Sequence, residues 1–207
     1  MPGIRSRFAY ICAALAVFCF HNGYAQSEGF TSKIYFPGAI GLSIPVKNAS
    51  GSINNGFMLS TALEYRPSEE NHIFYRFNYD AINNHYQQFT AGLPTNVNTG
   101  KLSVSLLTIG AGYRRRFKHF RIYGLVQGGV GINNYPILTS TASNITVSQV
   151  SSDHLAIKFS IGAEYYLAKH FALTIEPSYF HLPPDDQIVP INTNNLNLSI
   201  GFTTTLF

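Results

Sequence analysis

The sequence predicts an all-β protein, a single closed eight-stranded antiparallel up-and-down transmembrane β-barrel. Three observations point there. Eight stretches alternate apolar and polar residues with a period of two. The connections between them are short and long in turn. Charge is sparse, 12% of residues against 14% aromatic, where a soluble protein carries about 25% charged residues. Beyond the first 25 residues no stretch is long and apolar enough for a membrane helix. A membrane protein without helices must close its sheet, because hydrocarbon offers no partner to an open edge.

Taken in order, residues 33–44 put Ile34, Phe36, Ile40, Leu42 and Ile44 on one face. Residues 57–66 group Phe57, Leu59, Thr61, Leu63 and Tyr65 against Ser60, Glu64 and Arg66. Residues 72–81 set Ile73, Tyr75, Phe77 and Tyr79 against His72, Arg76, Asn78 and Asp80. In 107–117, Leu107, Ile109, Ala111 and Tyr113 oppose Thr108, Gly110, Gly112, Arg114 and Arg116. In 120–132, Phe120, Ile122, Val126, Val130 and Ile132 oppose Arg121, Tyr123 and Gln127. Residues 155–167 and 171–180 alternate likewise, with Lys158, Ser160, Gly162, Glu164, Thr174, Glu176 and Ser178 on the polar side. The eighth stretch, "NLNLSIGFTTTLF", aligns Leu196, Leu198, Ile200, Phe202, Thr204 and Leu206. One register is open: in "KLSVSLLTIG" the apolar phase slips between Leu106 and Leu107. Either a bulge sits there or the strand enters the apolar zone only at Leu107.

The tight connections are "PSEEN", Lys118-His119 and "AKH"; the long ones are 45–56, 82–100, 133–153 and 182–194. A meander with this alternation gathers its turns at one end and its loops at the other, with both termini at the turn end. That is the layout of outer-membrane barrels, with short periplasmic turns and long external loops.

Alternation alone cannot separate a lipid-facing barrel from a sandwich, whose strands read the same way. Four details favour the membrane. The polar faces are rich in Gly, Ser and Thr, as a crowded lumen requires. Aromatics gather towards strand ends on the apolar face: Tyr65, Tyr75, Phe117, Phe120, Tyr165 and Phe171 at the turns, Phe57, Tyr79 and Tyr179 at the loops. Such rows form interfacial girdles. The charge on the apolar face, Arg115, lies two residues before a turn, where it can snorkel. Finally, the chain ends inside a good strand on an aromatic residue. Ser199, Gly201, Leu206 and Phe207 resemble the C-terminal assembly signal of Gram-negative outer-membrane barrels, with Thr204 where a larger apolar residue is usual.

The chain as a whole resembles the eight-stranded bacterial outer-membrane β-barrel family, in particular the compact OmpA/OmpX-like barrels of Bacteroidetes-type bacteria. The resemblance implies location in the cell outer membrane, contact with outer-membrane lipid and delivery by the barrel assembly machinery, with Phe207 as its handle. The start of the chain agrees. Arg5 and Arg7 precede an apolar run from Phe8 to Phe20, and Gly23-Tyr24-Ala25 follows. This reads as a signal peptide over 1–25, cleaved after Ala25, with the barrel domain over 26–207. Cys12 and Cys19 both lie in the segment removed, so the mature chain has no disulfide and must hold itself together by closure and packing. Cleavage lowers the net charge from +4 to about +2, and the scattered basic residues give no nucleic-acid footprint.

An eight-stranded barrel has a lumen just wide enough to be filled by side chains. Glu64, Arg66, Arg76, Arg114, Arg116, Arg121, Lys158, Glu164 and Glu176 fall on the inward face. They are expected to pair as a plug, because stranding a buried charge costs about 3–5 kcal/mol. A gate passing small solutes or ions is the alternative. An enzyme is the weaker one: lipid A deacylase barrels carry His-x-Ser-Asn on the seventh strand, and "SYFHLPPDD" offers His181 there with Pro183 in place of the nucleophile. His72, His85, His119, His154, His170 and His181 show no paired metal-ligand spacing, so no metal or cofactor is expected. "NAS" at Asn48 and "NIT" at Asn144 match a glycosylation pattern that bacterial export does not normally use. The Asn/Ser/Thr-rich loops leave an extracellular protein or glycan as the candidate partner of a monomer, in a structural or surface-interaction role.

Overall fold

A computed structural model describes residues 32–46, 53–68, 71–87, 99–117, 120–140, 145–168, 170–183 and 194–205. The proposed signal peptide, Leu206, Phe207, His119 and the asparagines of both glycosylation matches, Asn48 and Asn144, lie outside them. The strands are β1 (Ile34–Pro45), β2 (Ile53–Tyr65), β3 (Ile73–Gln87), β4 (Thr99–Phe117), β5 (Phe120–Ser140), β6 (Ile145–Ala168), β7 (Phe171–His181) and β8 (Asn195–Thr205). Each pairs antiparallel with the next, and β8 pairs with β1 from Tyr35–Thr205 to Pro45–Asn195, closing the barrel. The expected fold is the observed one.

The pairing also fixes the tilt. A circuit from Ser43 runs through Asn197, Ser178, Ser160, Leu125, Gly112 and Phe74. The next residue round is Arg66, whose N–H donates to Lys33 O at 2.8 Å. One turn of the barrel therefore returns to β1 ten residues nearer its start. For eight strands, that stagger corresponds to a strand tilt of about 40°.

The apolar sets point outwards. Leu63, Phe77 and Ile161 are 46%, 43% and 65% exposed on a molecule stripped of lipid. At the closing seam the ring of Phe202 covers Gly38, where a side-chain carbon would lie 3.5 Å from its Cζ, and Phe171 stacks on Phe202 at 5.9 Å. An aromatic ring over a strand glycine restores the apolar cover that the glycine lacks. Arg115 also faces outwards, its guanidinium 5.6 Å from the Phe117 ring centre at the turn end.

One expectation needs correction. The segments 82–100 and 133–153 are not loops throughout. β3 and β4 stay paired up to Gln87–Thr99, and β5 and β6 run on as a hairpin from Tyr135–Val150 to Ser140–Ile145. Their Thr, Val and Ile residues suit a pleated ladder, which satisfies the backbone that a loop would leave to water.

Of the two readings of the phase slip at Leu106–Leu107, the one in which the strand enters the apolar zone only at Leu107 holds. β4 keeps an unbroken register there with both neighbours, so there is no bulge. Leu107, Ile109 and Tyr113 point out, whereas Leu102, Val104 and Leu106 are buried inside. What changes is the surroundings of the wall. Below Leu107 the outer face is apolar; above it Ser105, Ser103 and Lys101 take that face. The neighbours switch at corresponding places: Asn83 and His85 point out on β3 while Ile82 points in, and Asp153 and Ser151 point out on β6 while Ala156 points in. A wall in lipid puts its apolar side chains outside, and a wall in water puts them inside. The slip marks the crossing of the membrane surface.

That boundary makes a measurable distinction. Ile161→Arg, on the lipid side near mid-height, is expected to lower stability by about 2–4 kcal/mol. Asn83→Arg, outward-facing above the boundary, should change it by less than about 0.5 kcal/mol. Urea unfolding in lipid vesicles gives both values; equal costs would place the boundary elsewhere.

Candidate functional site in the barrel interior

The interior holds two layers, and the inward residues of each strand assign themselves to one or the other. Towards the turns lies an ionic layer. Glu64 on β2 is its centre. One carboxylate oxygen accepts from Arg66 Nε, and the other accepts from Arg76 Nε at 2.8 Å and Nη2 at 2.6 Å. Arg66 reaches across the lumen to Glu164 Oε1 at 2.7 Å and donates to the Tyr166 hydroxyl at 2.8 Å. Its guanidinium also lies 3.5 Å over the Tyr35 ring. Arg76 spans to Glu176 Oε2 at 2.7 Å, and the same oxygen accepts from the Tyr123 hydroxyl at 2.5 Å. Tyr123 crosses β6 to get there, and Gly162 allows it: a side-chain carbon at Gly162 would lie 2.2 Å from the ring.

A second group adjoins this one. Lys158 Nζ donates to Asp80 Oδ2 at 2.6 Å and stands 4.0 Å from Glu176 Oε1. Asp80 Oδ1 accepts from Ser60 Oγ at 2.5 Å and from Asn78 Nδ2 at 3.2 Å. Gln127 Nε2 donates to the Arg76 carbonyl at 3.2 Å. Charges this deeply buried are tolerable only when their hydrogen-bonding capacity is largely filled. A cavity of about 20 Å³ remains beside Pro37, lined among others by Ser60, Ala62, Arg76, Asn78 and Glu176. It has polar walls and the space of a single water.

Of the sequence-derived charge set, Glu64, Arg66, Arg76, Lys158, Glu164 and Glu176 come together here. Arg121 is half-buried, donating to Tyr166 Oη at 2.6 Å. Arg114 lies inside with Glu64 Oε1 3.6 Å away. Arg116 is exposed at the turn end. Sequence reasoning did not single out Asp80, although it sits on the polar face of β3. It placed Tyr123 on the polar face without giving it a partner and passed over Tyr166, and the hydroxyls of both serve the ionic layer.

Towards the loops the interior is mainly apolar, with Ser43, Asn84, Asn133, Asn195 and Asn197 buried beside the apolar side chains. Met58, Ile82, Leu102, Val104, Leu106, Ala156, Phe180 and Leu182 form one buried cluster, with Ile53 and Val150 against it. This layer went unread because apolar residues were assigned to the lipid side throughout. The signal that could have found it was the phase slip at Leu106–Leu107.

Ser199 and Gly201 lie in the seam. Ser199 is buried and its hydroxyl donates to the Glu176 carbonyl at 3.0 Å. A side-chain carbon on Gly201 would fall 2.1 Å from Gly38 O, so β1 and β8 need a glycine at this contact. His181 faces outwards, and Asn194 Oδ1 accepts from its Nδ1 at 2.9 Å and from the Leu182 N–H at 3.1 Å. With Pro183 two residues on, this makes an amide-anchored histidine. Among the described residues, no group of three or more His, Cys, Asp or Glu could hold a metal ion.

The family described as outer membrane protein beta-barrel domain matches residues 10–203. The chain belongs to that family. Membership places it in the outer membrane. Its barrel is similar to that of neisserial surface protein A, at 14% identity and a TM-score of 0.58, over 84% of this chain and 98% of that one. Ail, the attachment invasion locus protein of Yersinia pestis, solved with the heparin analogue sucrose octasulfate, is 14% identical with a TM-score of 0.44, over 83% and 99%. Outer membrane protein W of E. coli is 10% identical with a TM-score of 0.41, over 87% and 100%. At such identities the likeness speaks for the fold alone. No curated protein matches the sequence.

The Asp80–Lys158 pair tests the ionic layer. Asp80→Asn should cost about 3–5 kcal/mol, because it leaves Lys158 buried without its main partner. Asp80→Leu with Lys158→Met should recover most of that loss, since no charge is then stranded. Unfolding midpoints of the single and double variants decide it, and purely additive losses would contradict the pairing.

Proposed function

We propose that this outer-membrane barrel is a closed structural and surface-interaction protein, neither a pore nor a catalyst. The observation that carries the reading is the stacking of two different seals in one lumen. The ionic layer fills the interior at membrane depth, and the apolar cluster from Met58 to Leu182 fills it above. An ion crossing both would have to break buried pairs and then shed its hydration among aliphatic side chains. The role of the protein then lies in what it presents outside. The β5–β6 hairpin from Tyr135–Val150 to Ser140–Ile145 supports this, because it is a paired and therefore shaped projection. Its Asn, Ser and Thr suit contact with an extracellular protein or glycan. Delivery by the barrel assembly machinery through the β8 signal belongs to the same reading.

Planar bilayers containing the folded protein should show no steady conductance. A stable open level, altered by Glu64→Gln or Glu176→Gln, would establish the channel instead. Deleting residues 136–149 should leave the barrel folded, seen as faster migration before boiling than after on a detergent gel, since exposed projections add little to closure. Adhesion or glycan binding by cells carrying the protein should disappear with the deletion. Binding that survives it would move the contact surface to another loop.

A further inference from the structure

Pro37 interrupts the wall at membrane depth, and the register shows which hydrogen bond it removes. Arg66 N–H donates to Lys33 O across the β1–β2 pair. Backbone groups point to alternate sides along a strand. The odd residues of β1 and the even residues of β2 therefore turn theirs towards each other. Tyr35 meets Glu64 and Ala39 meets Ser60 in this way, and the same register sets Pro37 opposite Ala62. Proline has no N–H to give. The Ala62 carbonyl thus faces β1 without a donor from it, and the pairing skips Phe36, Pro37, Ala62 and Leu63. Lipid outside the wall offers no replacement.

On the inner side of this gap lies the cavity of about 20 Å³, lined by Pro37 and Ala62 together with Arg76, Asn78 and Glu176. Asn78 donates through Nδ2 to Ser60 Oγ at 3.0 Å and to Asp80 Oδ1 at 3.2 Å. Its own Oδ1 is buried and makes no hydrogen bond, although the residue is only 2% exposed. Arg76 has the opposite surplus. A guanidinium carries five N–H donors, and Arg76 makes three contacts with Glu64 and Glu176. Two acceptors in need of a donor and one donor in excess border the same small space.

We propose that this cavity binds a single water molecule that takes the place of the missing Pro37 N–H. The water donates one hydrogen to Ala62 O and the other to Asn78 Oδ1, and accepts from an Arg76 Nη. Three partners are what a buried water usually has. Charged occupants do not fit. A cation would stand against the Arg76 guanidinium, and an anion would stand against Glu176 and two carbonyl oxygens. The water extends the ionic layer to the barrel wall and ties β1 to β2 where the ladder cannot.

The test uses the full chain, folded in deuterated zwitterionic micelles for nuclear magnetic resonance and crystallised in parallel. The Asn78 Nδ2 protons should show cross-relaxation with a long-lived water. The crystal should show one oxygen peak about 2.9 Å from both Ala62 O and Asn78 Oδ1. Ala62→Val fills the cavity from the β2 side. It should abolish the water signal and lower the urea midpoint by about 1 M, the loss of a bridge between buried polar groups. Filling a dry cavity would raise the midpoint instead. If Ala62→Val fails to fold, the two measurements on the parent chain decide. The proposal is overturned by a cavity without a peak in the parent, by xenon entering it under pressure, or by a midpoint that rises in Ala62→Val. An anomalous signal there from bromide or caesium would also overturn it, since the occupant would then be an ion.

Discussion

In hydrocarbon every backbone N–H and C=O must find a partner within the protein, because each one left unpaired costs several kcal/mol. The rest of this molecule depends on that constraint. It makes the β1–β8 seam as indispensable as any hairpin, although its partners come from opposite ends of the chain. The seam is built for close contact. Gly201 lets the two backbones approach, and Phe202 shields Gly38 on the lipid side. Pro37 is a local exception, for it has no N–H to give. The β1–β2 pairing accordingly passes from Tyr35–Glu64 to Gly38–Thr61, and the small polar cavity lies beside the break.

Closure with eight strands leaves a narrow interior, and the membrane then dictates what fills it. At membrane depth the outer face belongs to apolar side chains, so polar residues are driven inwards, where charge must be neutralised by charge. Glu64 shows how tightly this is done: Arg66 and Arg76 share its two oxygens, and each arginine goes on to a second carboxylate on a distant strand. The pairs therefore brace β2 and β3 against β6 and β7 across the lumen. Above the membrane surface the wall meets water, and the interior reverts to the apolar packing of a soluble protein. Met58, Ile82 and Phe180 there do what hydrophobic cores do elsewhere.

This division explains how much was legible in the sequence. All eight strands could be read, because lipid on one side and a polar lumen on the other impose alternation on every strand at that depth. Arg76 and Glu176 could likewise be placed inside by parity alone. Their partnership across the barrel could not, since it depends on the stagger accumulated round the circuit. Asp80 and Tyr123 were harder still: their importance lies in reaching Lys158 and Glu176 on other strands. The apolar layer was hidden for a different reason. Alternation reports which residues share a face, and only the surroundings say which face is in; Leu106 and Leu107 lie on either side of that change.

The hairpin of β5 and β6 has a consequence for distance. From Ile132, an outward apolar residue of β5, the strand continues to Ser140. Eight further residues at about 3.3 Å each, inclined as barrel strands are, carry its tip about 20 Å beyond the hydrocarbon edge. A macromolecule approaching the cell could touch this ribbon while the lipid beneath was still out of its reach.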